Sequence, residues 1–311
     1  VGVKKIAAEQ DGKMKLGRLG VFTLTDAMTS AESASYARRI EDWGYTALWM
    51  GDGFGRDVLI QSSWLLANTS KLILASGIAS IYGRDAVAMA VANHTLCEQS
   101  SGRFLLGIGV SHDRIVEGRR GHVYGKPVTT MRAYLDSMDR VEYLAPPPPE
   151  RPLVVLAALG PNMLALAGER TDGAMPFCVT PAHTAGARAI LGPGKLLCPE
   201  QKLLLETDAD AARATGRRVL APFLSLANYR NNLLALGYNE DELTNGGSDR
   251  LVDDLIGWGG EAELRARVQA HWDAGADHVC ISAVQPDASN PLPDERVFEL
   301  LSPARTGFGI G

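Results

Sequence analysis

Residues 104–113 read FLLGIGVSHD. A continuous apolar run, with glycine at 107 and 109, ends abruptly in serine, histidine and aspartate. An uninterrupted apolar strand reads as one buried on both faces, which is the habit of parallel sheets covered by helices. The same grammar recurs along the chain. Strand-like runs stand at 16–23, 47–52, 71–80, 103–110, 153–159, 173–179, 195–206 (centred on 202–206) and 278–284, with helix-like runs between most of them. Eight such units favour a single α/β domain over residues 1–311, a (β/α)8 TIM barrel with insertions in its βα loops, over an open doubly wound sheet. GIGVSH lacks the third glycine of a dinucleotide fingerprint, which weakens the open-sheet reading further.

The helices are marked by their ends. TSAE (29–32) is a capping-box pattern ahead of a helix that stops at Gly44. Helices are also expected at 58–68, 86–99, 131–144, 162–170, 182–191, 263–274 and 296–302. The stretch 209–258 reads as mostly helical, broken at Pro222 and at NGGS (245–248). The four prolines of APPPPERP (145–152) read as a stiff extended connector.

Composition narrows the function. The chain has 311 residues, 46% hydrophobic and 22% charged, with a formal net charge of -5. A mildly acidic chain lacks the basic footprint expected of nucleic-acid or anionic-membrane partners. No apolar run is long enough to span a bilayer, and the first residues lack a signal-type apolar core. Four scattered cysteines without a CxxC pair fit a reducing cytoplasm and small buried apolar residues better than disulfides or zinc. The six histidines show no metal-ligand spacing, so no metal is expected.

In a barrel the chemistry lies past the C-terminal ends of the strands. His112 stands there, and a histidine titrating near neutrality suits proton transfer to or from a substrate oxygen; a loop histidine bonded to backbone is the plain alternative. Ser111, His112 and Asp113 are too close in sequence to form a triad. Gly107 and Gly109 share one strand face, open either to close packing or to a flat ligand. LGPN (159–162) sets Gly160 and Pro161 at a helix start, where free N–H groups suit phosphate. Thr180 and His183 lie at the start of the next helix and could add hydrogen bonds, although Thr180 is equally a simple N-cap.

Taken together, YARRIEDWGYTALWMGD (36–52), LASGIAS (74–80), GRFLLGIGVSH (102–112) and LGPNMLALAGERTDGAMPF (159–177) resemble the bacterial luciferase-like superfamily, and within it the branch that uses coenzyme F420. The resemblance runs from about Leu16 to Leu301. It implies a hydride-transferring oxidoreductase acting on a small-molecule substrate, with His112 as acid or base. It also implies a cis peptide at Gly77–Ile78 against the ring, and a cofactor site that includes Asp52, Gly77, Ile78, Gly109, Ser111, Gly160, Pro161, Thr180 and His183. Trp49, Phe54, Tyr82, Arg84 and His122 are the candidates for the substrate pocket, with Trp49 and Phe54 equally readable as core or packing residues. The family resemblance further implies a homodimer packed through helices beside the second and third strands. Two features depart from relatives: Asp52 is followed by Gly53 where several F420 enzymes have histidine, and His112 stands where the sugar-phosphate dehydrogenases have glutamate. FMN in a monooxygenase, and a non-catalytic barrel of the same lineage, are the alternatives.

Overall fold

A computed structural model describes residues 14–53 and 55–310. In chain order the elements are β1 (Leu19–Phe22), α1 (Ser30–Asp42), β2 (Ala47–Met50), α2 (Val58–Ala67), β3 (Ile73–Ser76), β4 (Ala79–Ser80), α3 (Ala86–Gln99), β5 (Phe104–Gly109), α4 (Asp113–Val116), α5 (Pro127–Met138), β6 (Leu153–Leu156), α6 (Pro161–Arg170), β7 (Gly173–Ala174), α7 (Pro181–Leu191), β8 (Leu196–Leu197) and β9 (Glu200–Leu205). They continue with α8 (Ala209–Leu224), α9 (Ala227–Ala235), a 3-10 turn (Asp241–Leu243), α10 (Asp249–Leu255), β10 (Ile256–Gly259), α11 (Glu261–Asp273), β11 (Val279–Ala283), α12 (Glu295–Leu300) and α13 (Pro303–Thr306).

The described strands pair in parallel throughout. Pairing runs from β11 through β1, β2, β3, β5, β6 and β7 to β8, and β9 returns to β11, so the curled sheet closes. β4 prolongs β3 along β5, β9 prolongs β8, and β10 flanks β9 outside the ring; the eleven strands therefore make eight staves. Period two sorts the side chains. Phe22, Ala47, Trp49, Ala75, Leu105, Val155 and Cys280 face inward and pack as one cluster. Val21, Leu48, Leu74, Leu106 and Ile281 face outward under the helices.

The capping box at Thr29 and Glu32 is present, and all four cysteines are free and buried. Three expectations are corrected. Pro222 lies inside α8, two residues before its last residue, where a missing N–H costs one bond and the helix still ends at Leu224. Residues 256–259 are strand β10, not helix; Gly257 carries no Cβ, and one would sit 2.8 Å from Leu203, so the strand can lie flat against β9. The helix expected at 131–144 is α5, which begins at Pro127, well placed at the first turn, and ends at Met138.

Two buried histidines lock the barrel wall in their neutral forms. The Gln201 amide donates to the Lys202 and Leu255 carbonyls, so its oxygen accepts from His271 Nε2 at 2.8 Å. His271 Nδ1 must then accept from the Thr184 hydroxyl, also 2.8 Å away. His278 Nε2 accepts from Trp49 Nε1–H at 3.0 Å, which leaves Nδ1–H to donate to the Gly17 carbonyl. Burial holds the His271 ring down to about 3 and the His278 ring down to about 4. Both folded values lie below the unfolded one, so the unfolded chain takes up the protons first, and stability is full above about pH 6.5 and lost on acidification. Thermal unfolding midpoints should fall from pH 7 to pH 5 as the unfolding free energy drops by up to about 1.4 kcal/mol per histidine per pH unit. A flat profile over that range would contradict the assignment.

Candidate active site

The geometry of the mouth begins with two missing side chains. A Cβ on Gly107 would lie 2.0 Å from the Ser76 carbonyl oxygen, and one on Gly109 would lie 2.8 Å from Ile78 Cδ1. The third stave therefore leans onto the fourth. Ser76 Oγ donates to the Gly107 carbonyl at 2.8 Å and accepts from its N–H at 2.9 Å. Ile78 fills the face that Gly109 leaves bare. Of the two readings open for these glycines, close packing is the one seen. The Gly77–Ile78 peptide is cis. Gly77 N–H donates to the Met50 carbonyl at 2.7 Å, and Asp52 N–H to the Ile78 carbonyl at 3.2 Å, which anchors this bulge to the second stave.

Immediately beyond Gly109 the chain turns through Ser111 in the left-handed region, φ 57°. A non-glycine residue there is uncommon and worth explaining at a candidate site. Tyr124 donates its hydroxyl to the Ser111 carbonyl at 3.2 Å and holds the turn. His112 follows as the N-terminal cap residue of α4, half-buried. Its ring lies 6.0 Å from that of Tyr229 and hydrogen-bonds Asn228, both on α9. Burial lowers its pKa, while the Asn228 bond and the Asp113 charge raise it; burial prevails, so the imidazole is neutral at pH 7.

The other expected pocket residues divide. Asp52 Oδ2 accepts from Ser80 N–H at 3.0 Å and from Arg84 at 2.9 Å, and Arg84 also pairs with Asp57, the N-cap of α2. Asp52, Asp57 and Arg84 line a cavity of about 220 Å³ with Gly53, Gly55, Arg56, Gly83 and Arg120. Tyr82 accepts from Gly125 N–H at 3.0 Å and lies against His122, ring centroids 6.2 Å apart. Trp49 is fully buried and bonded to His278; its place is the barrel floor, not a pocket wall. Phe54 lies outside the described residues.

Around the sixth stave the expected phosphate residues come together. Gly160 is the exposed N-cap residue of α6 with Pro161 at the first helical position, and a Cβ at 160 would meet nothing within 4 Å. Thr180 caps α7 by accepting from His183 N–H at 3.2 Å. His183 Nε2 bonds the Leu159 carbonyl at 2.8 Å and so ties this helix start to the Gly160 loop. Its Nδ1 is buried without a partner. Beside Thr180, Pro181 and Ala182 opens a cavity of about 420 Å³, also lined by Tyr238, Arg250 and Arg267. Arg267 donates to two backbone carbonyls, those of Asp253 and Asp254.

Sequence reasoning missed what the insertion after β9 contributes. Phe223 and Tyr229 are in edge contact at 5.3 Å, and Phe223 lies 5.8 Å from Phe177, which packs on Phe22 at 4.9 Å. No pattern in 209–258 announces which aromatic residues turn toward the mouth. Glu200 and Lys202 also went unremarked, although their signal was present: charges two apart inside PEQKLLLE (199–206) must share one face of the strand.

A family model described as luciferase-like monooxygenase matches residues 14–191. A Mycobacterium tuberculosis protein, provisionally named a coenzyme F420-dependent oxidoreductase, is 26% identical over 285 residues, covering 78% of this chain and 80% of its own. Among solved structures, an F420-dependent secondary alcohol dehydrogenase in complex with an F420–acetone adduct superposes with a TM-score of 0.72 at 14% identity, covering 95% of this chain and 99% of its own. The oxygenating constituent of 3,6-diketocamphane monooxygenase from Pseudomonas putida, in complex with FMN, reaches a TM-score of 0.65 at 13% identity, covering 92% and 96%.

The packing of the third stave on the fourth has a direct test. Gly107→Ala places a methyl group against the Ser76 backbone, which a rotamer change cannot relieve. We expect a loss of about 3 kcal/mol or more in chemical denaturation, or failure to fold. A loss below about 0.5 kcal/mol, the range of an uneventful surface change, would contradict the packing described.

Proposed function

The chain belongs to the luciferase-like monooxygenase family, a family of oxidoreductases, and on that premise we propose that it transfers hydride between coenzyme F420 and a small organic substrate. The observation that carries the reading is His112: a half-buried, neutral imidazole at the end of the fourth stave, next to the contact between Gly109 and Ile78. When bound, the deazaflavin supplies the two-electron chemistry, and the protein supplies position and exclusion of water. A neutral His112 can accept the proton of a substrate hydroxyl as its carbon is oxidised, or in its protonated form donate one to a carbonyl being reduced.

The residues present fit a phosphate-bearing cofactor. Gly160 leaves open space at the start of α6, and Thr180 with Pro181 opens α7 beside Arg250 and Arg267. Helix starts present free N–H groups to an anion; Arg250 is paired with Glu242 and Arg267 is held by the Asp253 and Asp254 carbonyls, so the helix starts carry this fit. These features suit the phosphate of F420 or of FMN alike. The F420-dependent relatives favour F420.

Titrations with each cofactor separate the two. Saturable F420 binding is expected; tight binding of FMN with none of F420 overturns the choice, and binding of neither overturns the reading. With substrates found by screening alcohols and enones, His112→Ala should lower kcat by about 100-fold or more while leaving cofactor Kd nearly unchanged. In the direction where His112 serves as base, activity should fall with acid through a pKa below the ordinary histidine value. Unchanged turnover in the variant would remove His112 from the reaction, and a native chain that binds cofactor but turns over none of the screened substrates would point to the non-catalytic barrel.

The same reading includes a pair of copies. Ile60 and Trp64 of α2 and Val87 and Val91 of α3 are exposed apolar side chains at i, i+4 spacing on neighbouring helices. A second copy of the chain would cover them. Light scattering should give a dimer in the native chain and a monomer in Ile60→Lys/Val87→Lys; a monomeric native chain contradicts this.

A further inference from the structure

The inner wall of the mouth carries a buried ion pair that nothing above uses. Glu200 and Lys202 project inward from β9, with side chains 0% and 6% exposed. Lys202 Nζ lies 3.0 and 2.9 Å from the two Glu200 oxygens. Glu200 Oε2 also accepts from Cys178 N–H at 3.0 Å. The inward positions on other staves are filled by Phe22, Trp49, Ala75, Leu105 and Val155. A buried pair is seldom retained for stability, since an apolar pair of similar volume is often as good or better.

An ammonium group has three donors, and Glu200 takes two. The remaining face of Nζ lies 4.1 Å from the Phe177 ring centroid and 4.8 Å from that of Phe223. Ser282, opposite Lys202 in the register, has a buried hydroxyl without a partner. The rings connect this corner to the rest of the mouth. Phe177 packs on Phe22, which a Cβ at Gly77 would touch at 3.1 Å. Phe223 packs on Tyr229, which faces His112. One aromatic wall thus has Lys202 at one end, with the third-stave bulge and His112 at its other limits.

Resting on the reading of the previous subsection, we propose that Lys202, held by Glu200, binds the pyrimidinedione end of the ring cofactor and favours its reduced form. A deazaflavin or flavin ring that has gained a hydride holds an added negative charge, delocalised over the N–C=O groups of that end unless a proton neutralises it. An ammonium in a water-poor site is a strong partner for such charge. Glu200 fixes its position, and Ser282 stands by as a further hydroxyl. Lys202 is here a binding residue for the cofactor, separate from the proton handled at His112.

Removing Lys202 alone would leave Glu200 as an unpaired buried charge, so the test uses Glu200→Gln/Lys202→Met together with Lys202→Arg. Anaerobic fluorescence titrations would measure the affinity of each protein for oxidised and reduced F420, and likewise for FMN. In the double variant the reduced form should bind about tenfold or more weakly, the size of one lost charge-assisted hydrogen bond, with the oxidised form changed by less than about threefold. The potential of the bound couple should then fall by about 30 mV or more, the conversion of a tenfold change for two electrons. Lys202→Arg, which keeps the charge, should retain the native preference. Equal losses for both redox forms, or no loss in a folded double variant, overturn this proposal alone. A native chain that binds neither cofactor overturns it together with the reading on which it rests.

Discussion

The approach of the third stave to the fourth is the constraint on which the mouth depends. It requires two positions without side chains, Gly107 and Gly109, and the space they leave is taken by the Ser76 backbone and the Ile78 side chain. The reciprocal bonds between Ser76 Oγ and Gly107 satisfy the polar groups that so close an approach buries. Because the bulge sits on the fourth stave, the chain beyond Gly109 must turn, and the turn is made by Ser111 in a conformation that serine rarely adopts. His112 is the next residue. The placing of a titratable side chain at the rim is therefore a consequence of how two backbones pack one level below it.

The other half of the mouth comes from the insertion after the seventh stave. Asn228 and Tyr229 meet His112 from α9, and Phe223 closes the gap to Phe177. Burial lowers the His112 pKa while Asn228 of α9 acts to raise it, so the insertion takes part in setting the environment of a residue on another stave. The Glu200–Lys202 ion pair sets a buried ammonium against Phe177 and Phe223 on an inner surface made mostly of apolar side chains.

Much of this was legible beforehand. The eight staves follow from apolar runs bounded by helix signals, and the seventh needed only an earlier start, at Leu196. LGPN and VTPAH could be read as the starts of α6 and α7, since proline is favoured at the first turn of a helix. The glycines of FLLGIGVSHD were legible as a bare face open to packing or to a ligand, but what packs there was not, because Ser76 and Ile78 are distant in sequence. Trp49 was readable as a pocket aromatic or as core; that it turns inward to His278, 229 positions away, is decided by barrel closure. The aromatic residues of α8 and α9 were hidden for the same reason: helical periodicity shows which residues share a face, not what that face covers.

The measurement closest to the centre of this account is a crystal structure of the chain with F420 bound. The account requires the ring to lie in the mouth between Ile78 and the aromatic wall of Phe177 and Phe223, with His112 within hydrogen-bonding reach of the substrate position and the phosphate at the starts of α6 and α7. A ring bound elsewhere, or one in the mouth whose reacting face is turned away from His112, would contradict it.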